Sequence, residues 1–262
     1  MKQDSRTLIQ SNLPCKWCPS HDAMCEYTDN FFCFSCNGYE HKTKRARRRT
    51  NPVMSKREVL DGVVRLPDSA TKDLPAPALA WLYKRYFTKA LINKYTILWA
   101  AEFVAWSNKL SNYIDLGPRL IFTNYTESRL VSYDARSLDP KQAPKYLSYG
   151  NRQALFWSVA PKVSSILVIV EDSLSAMRVG EIAPAVALRG TIVDESMITE
   201  ITKKEQYTKY IVWMDKDRPG RKATRKLVTK LKWFNPVVEI FTVEDPKFLS
   251  VKAITEILWR NT

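Results

Sequence analysis

Two short apolar runs in this chain end in carboxylates. ILVIV (166–170) is followed by Glu171 and Asp172, and YIVWM (210–214) by Asp215 and, two residues on, Asp217. Runs of this kind are the pattern of strands buried on both faces. In a parallel α/β sheet the carboxyl ends of the strands share one edge, so Glu171, Asp215 and Asp217 are expected to meet at a single crevice. Hard oxygens on alternate residues at a strand end suit Mg²⁺, which keeps several waters and is held by one or two carboxylates plus substrate phosphates. Acids at strand ends also serve as solvated helix caps. The DxDxPG pattern at 215–220, combined with a glutamate ending an earlier strand, is more specific than capping requires.

A second group of ligands lies near the N-terminus. Cys15-x₂-Cys18 and Cys33-x₂-Cys36 are separated by fourteen residues, the spacing at which two knuckles close a tetrahedral Zn²⁺ site. So short a module cannot bury enough apolar surface to fold alone, and the metal supplies what the core lacks. Tyr27, Phe31, Phe32 and Phe34 fall between or inside the knuckles in ribbon-like order. Packing around the knuckles is their first role, and stacking on bases the second. His21 and Cys25 lie in the same module, but four paired cysteines already complete the shell.

The 262 residues carry 41 Lys+Arg against 27 Asp+Glu, a net charge of +14, and 45% hydrophobic content. That is enough for a proper core and favours a polyanion such as nucleic acid over an anionic membrane surface, for which no strongly amphipathic basic helix stands out. No apolar run is long enough to cross a bilayer, and the polar N-terminus lacks a secretory apolar region. A cytoplasmic location without membrane association is expected, where cysteines stay reduced and bind metal.

The remaining elements must position these groups. The sequence pattern divides the chain into a zinc ribbon over 1–40, a basic, largely irregular linker over 41–76, an α+β subdomain over 77–162 and an α/β subdomain over 163–262. The run HKTKRARRR (41–49) and Pro52, Pro67, Pro75 and Pro77 mark the linker. Helical spacing covers 77–95, and two alternating strands, 120–125 and 129–138, form a hairpin. Arg136, Lys141, Lys145 and Arg152 then crowd a segment with two prolines and Gly150, which reads as a loop offering cations to phosphates. In the last subdomain, strands near 166–171, 185–189, 210–215 and 237–243 alternate with helices near 173–182, 195–205, 220–233 and 250–259.

The order of zinc ribbon, basic linker, an "R…PKYLS…ALF" segment, a strand ending in Glu and then DxDxPG resembles a DNA primase of the bacterial and phage type. It is closest to the primase half of the primase–helicases of short-tailed phages. The resemblance covers nearly the whole chain and implies a Toprim catalytic fold. It implies synthesis of short RNA primers on single-stranded DNA from ribonucleoside triphosphates, with catalytic Mg²⁺ or Mn²⁺. By the same match Glu171 is the Toprim glutamate, Asp215 and Asp217 the metal-binding pair, and Asp245 in EDPKFLS the further acid. Arg136, Lys141 and Lys145 fall on the nucleotide and template surface. In such an enzyme two-metal displacement joins a 3′-hydroxyl to an α-phosphate.

The chain departs from the pattern at Asp172, where the family has Gly, and at Ser175, where it has Asp. Asn30 stands where related phage ribbons can carry a His near the template. No GxxxxGK[ST] phosphate loop occurs, so a helicase, like the DNA polymerase that receives the primer, is expected to be a separate protein, with a phage origin and a bacterial host cytoplasm implied by association. Two other classes compete: a Toprim nuclease, and a non-catalytic zinc-finger and Toprim recombination mediator that binds single-stranded DNA.

Overall fold

The computed structural model describes residues 8–18, 20–27, 30–33, 35–36, 39–41, 64–107, 112–151, 153–160 and 164–261. Residues 42–63 of the linker expected over 41–76, with Phe34 and Arg152, lie outside these residues. Two compact units divide the chain, 1–57 with 105–114, and 58–104 with 115–262.

In the first unit, β1 (Leu8–Leu13), β2 (Met24–Tyr27), β3 (Asn30–Cys33) and β4 (Tyr39–His41) pair antiparallel in that order. The outer strands β1 and β4 were not expected from the sequence, because neither alternates clearly. Cys33 and Met24 are cross-strand partners and both are buried, which gives this small sheet its inner face. Asn30 is also buried.

The second unit opens with β5 (Ala70–Thr71), α1 (Ala76–Tyr83), α2 (Lys89–Lys94) and β6 (Ile97–Ala100). The expectation that 41–76 is irregular needs correction at β5, whose backbone pairs with Trp99 and Ala100 of β6. Next along the chain, β7 (Val104–Ser107) and β8 (Asn112–Asp115) pair only with each other and fall almost wholly in the first unit, and the second unit resumes with β9 (Arg119–Thr126) and β10 (Arg129–Arg136). These two form the expected hairpin, turned by Glu127 and Ser128, both at positive φ. β11 (Tyr146–Gly150) then pairs with β10 along its whole length. The basic segment is therefore a loop only as far as Lys145, and YLSYG completes an antiparallel sheet of order β11-β10-β9-β6-β5.

The Toprim-like subdomain follows as β12 (Phe156–Ser158), β13 (Ile166–Val170), α3 (Ser173–Val179), β14 (Ala185–Ala187), α4 (Glu195–Thr202), β15 (Lys209–Trp213), α5 (Arg218–Leu231), β16 (Val237–Glu239) and α6 (Val251–Asn261). Its sheet runs β12-β14-β13-β15-β16, parallel except for β12. Each central strand buries both faces. Val168 and Val170 face a cluster with Leu174 and Met177 of α3 and Ile254 and Leu258 of α6, while Leu167 and Ile169 face Met197 and Ile201 of α4 and Leu227 and Leu231 of α5. The first cluster continues into the antiparallel sheet through Leu120, Phe122 and Ile97, and takes in Leu82 of α1. The two sheets of this unit thus share one core.

Candidate active site

From β13 the chain turns one way to β14, and from β15 it turns the other way to β16. The carboxyl ends of β13 and β15 therefore flank the switch point of the sheet, where open α/β folds form their crevice. Glu171 and Asp172 follow β13, and Asp215 and Asp217 follow β15. Asp217 is the N-cap of α5, its Oδ1 accepting from the Gly220 N–H at 2.8 Å. Pro219 in the first turn suits that start, since a missing N–H costs nothing there. Gly220 is needed for closeness: a Cβ would lie 2.1 Å from the Asp215 carbonyl oxygen.

Asp245 precedes a single 3₁₀ turn (Pro246–Phe248), which delivers Lys247 among the acids. The Lys247 ammonium lies 2.7 Å from Asp245 Oδ2, 2.8 Å from Asp172 Oδ2 and 3.8 Å from Asp215 Oδ2. Burial lowers the basicity of this amine, but the charge and hydrogen bonds of Asp172 and Asp245 outweigh it and raise the group above its ordinary value. Burial raises the Glu171 carboxyl to about 7, with Asp215, Asp217 and Asp172 adding to the shift. Asp215 rises to about 6 through burial and its acidic neighbours, although Lys247 opposes it.

The residues present fit a divalent cation. Glu171 Oε2 is buried without a hydrogen-bond partner, and a proton or a cation relieves such an oxygen. Among the described residues, however, only the four cysteines are gathered closely enough to form a ligand shell, their sulfurs all within 4.8 Å of one another. Cys15 and Cys18 sit between β1 and β2, Cys33 ends β3, and Cys36 lies in the turn before β4. Their sulfurs stand 3.7 Å (Cys15–Cys36) and 3.9 Å (Cys18–Cys33) apart. A tetrahedron with Zn–S of about 2.3 Å sets its sulfurs about 3.8 Å apart. A hydrogen bond from the Ser20 backbone lowers the Cys18 thiol to about 7, which favours the ligating thiolate. His21 and Cys25 are outside the group.

Both sequence departures find a structural use. Asp172 caps α3, accepting from Ser175 N–H and from Ser175 Oγ, each at 3.0 Å, so the two unusual residues bond each other.

Arg136, at the end of β10, stacks its guanidinium 4.7 Å from the Trp81 ring and 4.8 Å from the Tyr146 ring, with its Nε buried and unpartnered. Arg85 covers Trp81 at 3.5 Å and Phe248 at 5.1 Å. Burial, and then the charge of Arg136, lower Arg85 to about 10. Burial raises the Tyr146 hydroxyl, Arg136 opposes this, and Asp172 and Lys247 also act on it. The stack thus borders the acid crevice and holds two cations with no ion pair to either among the described residues. The helical spacing of 77–95 suits Trp81 as a core residue, and only its contacts with Arg136 of β10 and with Arg85 reveal the stack. Lys141 and Lys145 are exposed on the loop 137–145. That loop is anchored by Arg119, which is fully buried and donates to the Pro144 carbonyl at 2.9 Å, and closed by Ser137 N–H to the Lys145 carbonyl.

The acids at a switch point, with the β-α order around them, agree with a family model that matches residues 166–246. Those residues are a Toprim domain. No curated protein sequence matches the chain significantly. Solved structures do. The zinc-binding and RNA polymerase domains of the Aquifex aeolicus primase match over 97% of this chain and 79% of that one, at 15% identity and a TM-score of 0.56. A DNA primase domain from Pseudomonas aeruginosa matches over 70% of both chains at 19% identity and a TM-score of 0.56. A DnaG primase catalytic domain bound to single-stranded DNA matches over 71% of both chains at 19% identity and a TM-score of 0.54. The chain therefore has the fold of bacterial primases, a Toprim core beside an α+β subdomain, preceded by a cysteine cluster compatible with a zinc ribbon. No described helix is long and apolar enough to cross a membrane.

Proposed function

We propose that this protein is a DNA primase that makes short RNA primers on single-stranded DNA from ribonucleoside triphosphates. What carries the reading is the Toprim crevice itself: Glu171, Asp215 and Asp245 gather at one switch point, bordered by the cationic stack of Arg136 and Arg85. The primase neighbours share this fold, and one of them is bound to single-stranded DNA. A net charge of +14 suits a template and a triphosphate better than a neutral substrate.

In the reaction proposed, the 3′-hydroxyl oxygen of one nucleotide forms a bond to the α-phosphorus of the next, and the bond to the β-phosphate oxygen breaks to release pyrophosphate. Mg²⁺ or Mn²⁺ held by Glu171, Asp215 and Asp217 would neutralise charge on the triphosphate. Glu171, whose carboxyl rises to about 7 with no metal bound, is suited either to complete the metal shell or to accept the hydroxyl proton. Arg136 and Arg85 hold phosphates against Trp81, and Lys141 and Lys145 offer further phosphate contacts from the anchored loop. The ribbon, with Zn²⁺ on Cys15, Cys18, Cys33 and Cys36, contributes template recognition. A separate helicase and DNA polymerase act on either side of this step, in the cytoplasm.

Asp215→Asn is expected to lower dinucleotide formation at least a thousandfold while single-stranded DNA binding stays within about threefold. Unchanged synthesis would refute the assignment. Incubation with Mg²⁺ or Mn²⁺, single-stranded DNA and labelled ribonucleotides also separates the classes. Oligoribonucleotides mark a primase, shortened DNA a nuclease, and binding without product a recombination mediator.

A further inference from the structure

We propose that Lys247 is a built-in cation of the crevice, occupying the position of one metal ion, so that the site takes a single divalent ion and not the pair usual for in-line displacement. The inference rests on the metal-dependent reading above but concerns the chain's own lysine. An ammonium has three donors and no acceptor. Here it meets carboxylates from three different elements: Asp172 at the start of α3, Asp215 after β15 and Asp245 on the 3₁₀ turn. Its side chain is only 15% exposed, and the buried Pro246 fixes the turn that carries it. The contact is thus a fixed feature of the fold and not a surface ion pair that solvent would loosen.

The consequence is a division of the acids. Asp172 and Asp245 spend their nearest oxygens on Lys247, at 2.8 and 2.7 Å, and a divalent ion on those same oxygens would sit within a few ångströms of a fixed positive charge. Glu171 is different. Its Oε2 is buried and unpartnered, and Lys247 makes no ion pair with it. Asp215 stands at 3.8 Å, beyond hydrogen-bonding reach of the ammonium, and Asp217 is exposed with Oδ1 engaged by a backbone N–H. The side of the crevice formed by Glu171, Asp215 and Asp217 remains for one ion. Asp172 belongs to the lysine, which gives the residue standing in place of the family's glycine a purpose.

The test counts ions without substrate. Full-length protein, its thiols filled with Zn²⁺, is titrated with Mn²⁺, and bound ion is read from the loss of the free Mn²⁺ paramagnetic resonance signal. Wild-type protein should bind one Mn²⁺ per chain, and Lys247→Gln should bind a second at least tenfold more tightly than wild type does. Two ions in wild type, one in both proteins, or none at all would overturn the proposal. If Lys247→Gln does not fold, the wild-type count decides, supported by Lys247→Arg, which should keep the count at one. Because no nucleotide is present, a count of one stands even if the protein makes no primer, whereas primer synthesis with two bound ions would defeat only the lysine assignment.

Discussion

The cysteine ribbon and the acid crevice hold their ligands in opposite ways. The four sulfurs stand at the separations of a closed tetrahedron, on strands that have few buried side chains besides Met24, Asn30 and Cys33. The carboxylates are wider apart, carried on the edge of a sheet whose central strands are buried on both faces, and an amine from the chain itself stands among them. Where the core is thin the metal is the core, and the ligands must close on it completely. Where the core is large the ligands can stay open, because strands and caps hold them and the open face admits a substrate. The same contrast separates structural from catalytic metal sites generally.

The largest effect that can break this contrast is loss of the ribbon's metal. Structural Zn²⁺ contributes about 10–16 kcal/mol of apparent binding free energy to small metal modules, far more than this sheet can replace. Cys36→Ser, or chelation, should unfold residues 8–41 while the Toprim region stays folded, read as new proteolytic cleavage confined to the ribbon and an unchanged melting transition of the rest. Template-dependent initiation should fall at least tenfold more than extension of a supplied primer. Equal losses in both reactions would reduce the ribbon to a structural part.

An intermediate effect probes the crevice, where packing and not metal sets ligand position. Gly220→Ala places a methyl group 2.1 Å from the Asp215 carbonyl oxygen, an atom of rigid backbone that cannot swing aside. Overpacking costs about 1–3 kcal/mol, against up to about 1 kcal/mol gained from alanine's helix preference. A net loss of about 1–2 kcal/mol in urea denaturation is expected, with weaker Mn²⁺ binding because Asp215 must move. No loss of stability would mean that α5 is free to shift and that the cap does not fix the acid.

Both candidate ligand clusters stand out in the sequence because their signals are local. Cys-x₂-Cys pairs and DxDxPG need no knowledge of the fold, and the apolar runs at 166–170 and 210–214 were long enough to mark buried strands. The helix α5 was expected near 220 but starts at Arg218, since Asp217 caps it and Pro219 is tolerated in its first turn. What stayed hidden depends on contacts between distant segments. Lys247 looked like one of 41 basic residues until the turn after β16 brought it to Asp172, seventy-five positions away. Trp81 sits at helical spacing that reads as core, and only the packing of α1 beside Arg136, with Arg85 just past its end, turns it into part of a cationic stack. β1, β4 and β5 escaped for another reason: two to six residues with mixed polarity carry no period, and their pairing is decided by neighbours.

The smallest effect is one of pH, and its sign distinguishes the crevice from an ordinary set of surface acids. Burial and mutual repulsion raise Glu171 to about 7 and Asp215 to about 6 in the folded protein, against usual values of 4.5 and 3.8. Between these limits these two groups bind more protons in the folded than in the unfolded chain, so their contribution to stability falls as pH rises from about 4 to about 7 and then levels off. Carboxylates stabilised by ion pairs behave in the reverse manner. Solvent reaches both groups, and after discounting for that screening the total is on the order of 1 kcal/mol. Urea denaturation of Zn²⁺-loaded protein free of other divalent ions should show this decline. Glu171→Gln should remove the larger part of it, and saturating Mg²⁺ should flatten it, because the cation replaces the proton on the same oxygens. Stability that rises from pH 4 to 7 without Mg²⁺ would mean that Lys247 already neutralises the whole crevice, leaving no vacancy of charge for a metal to fill.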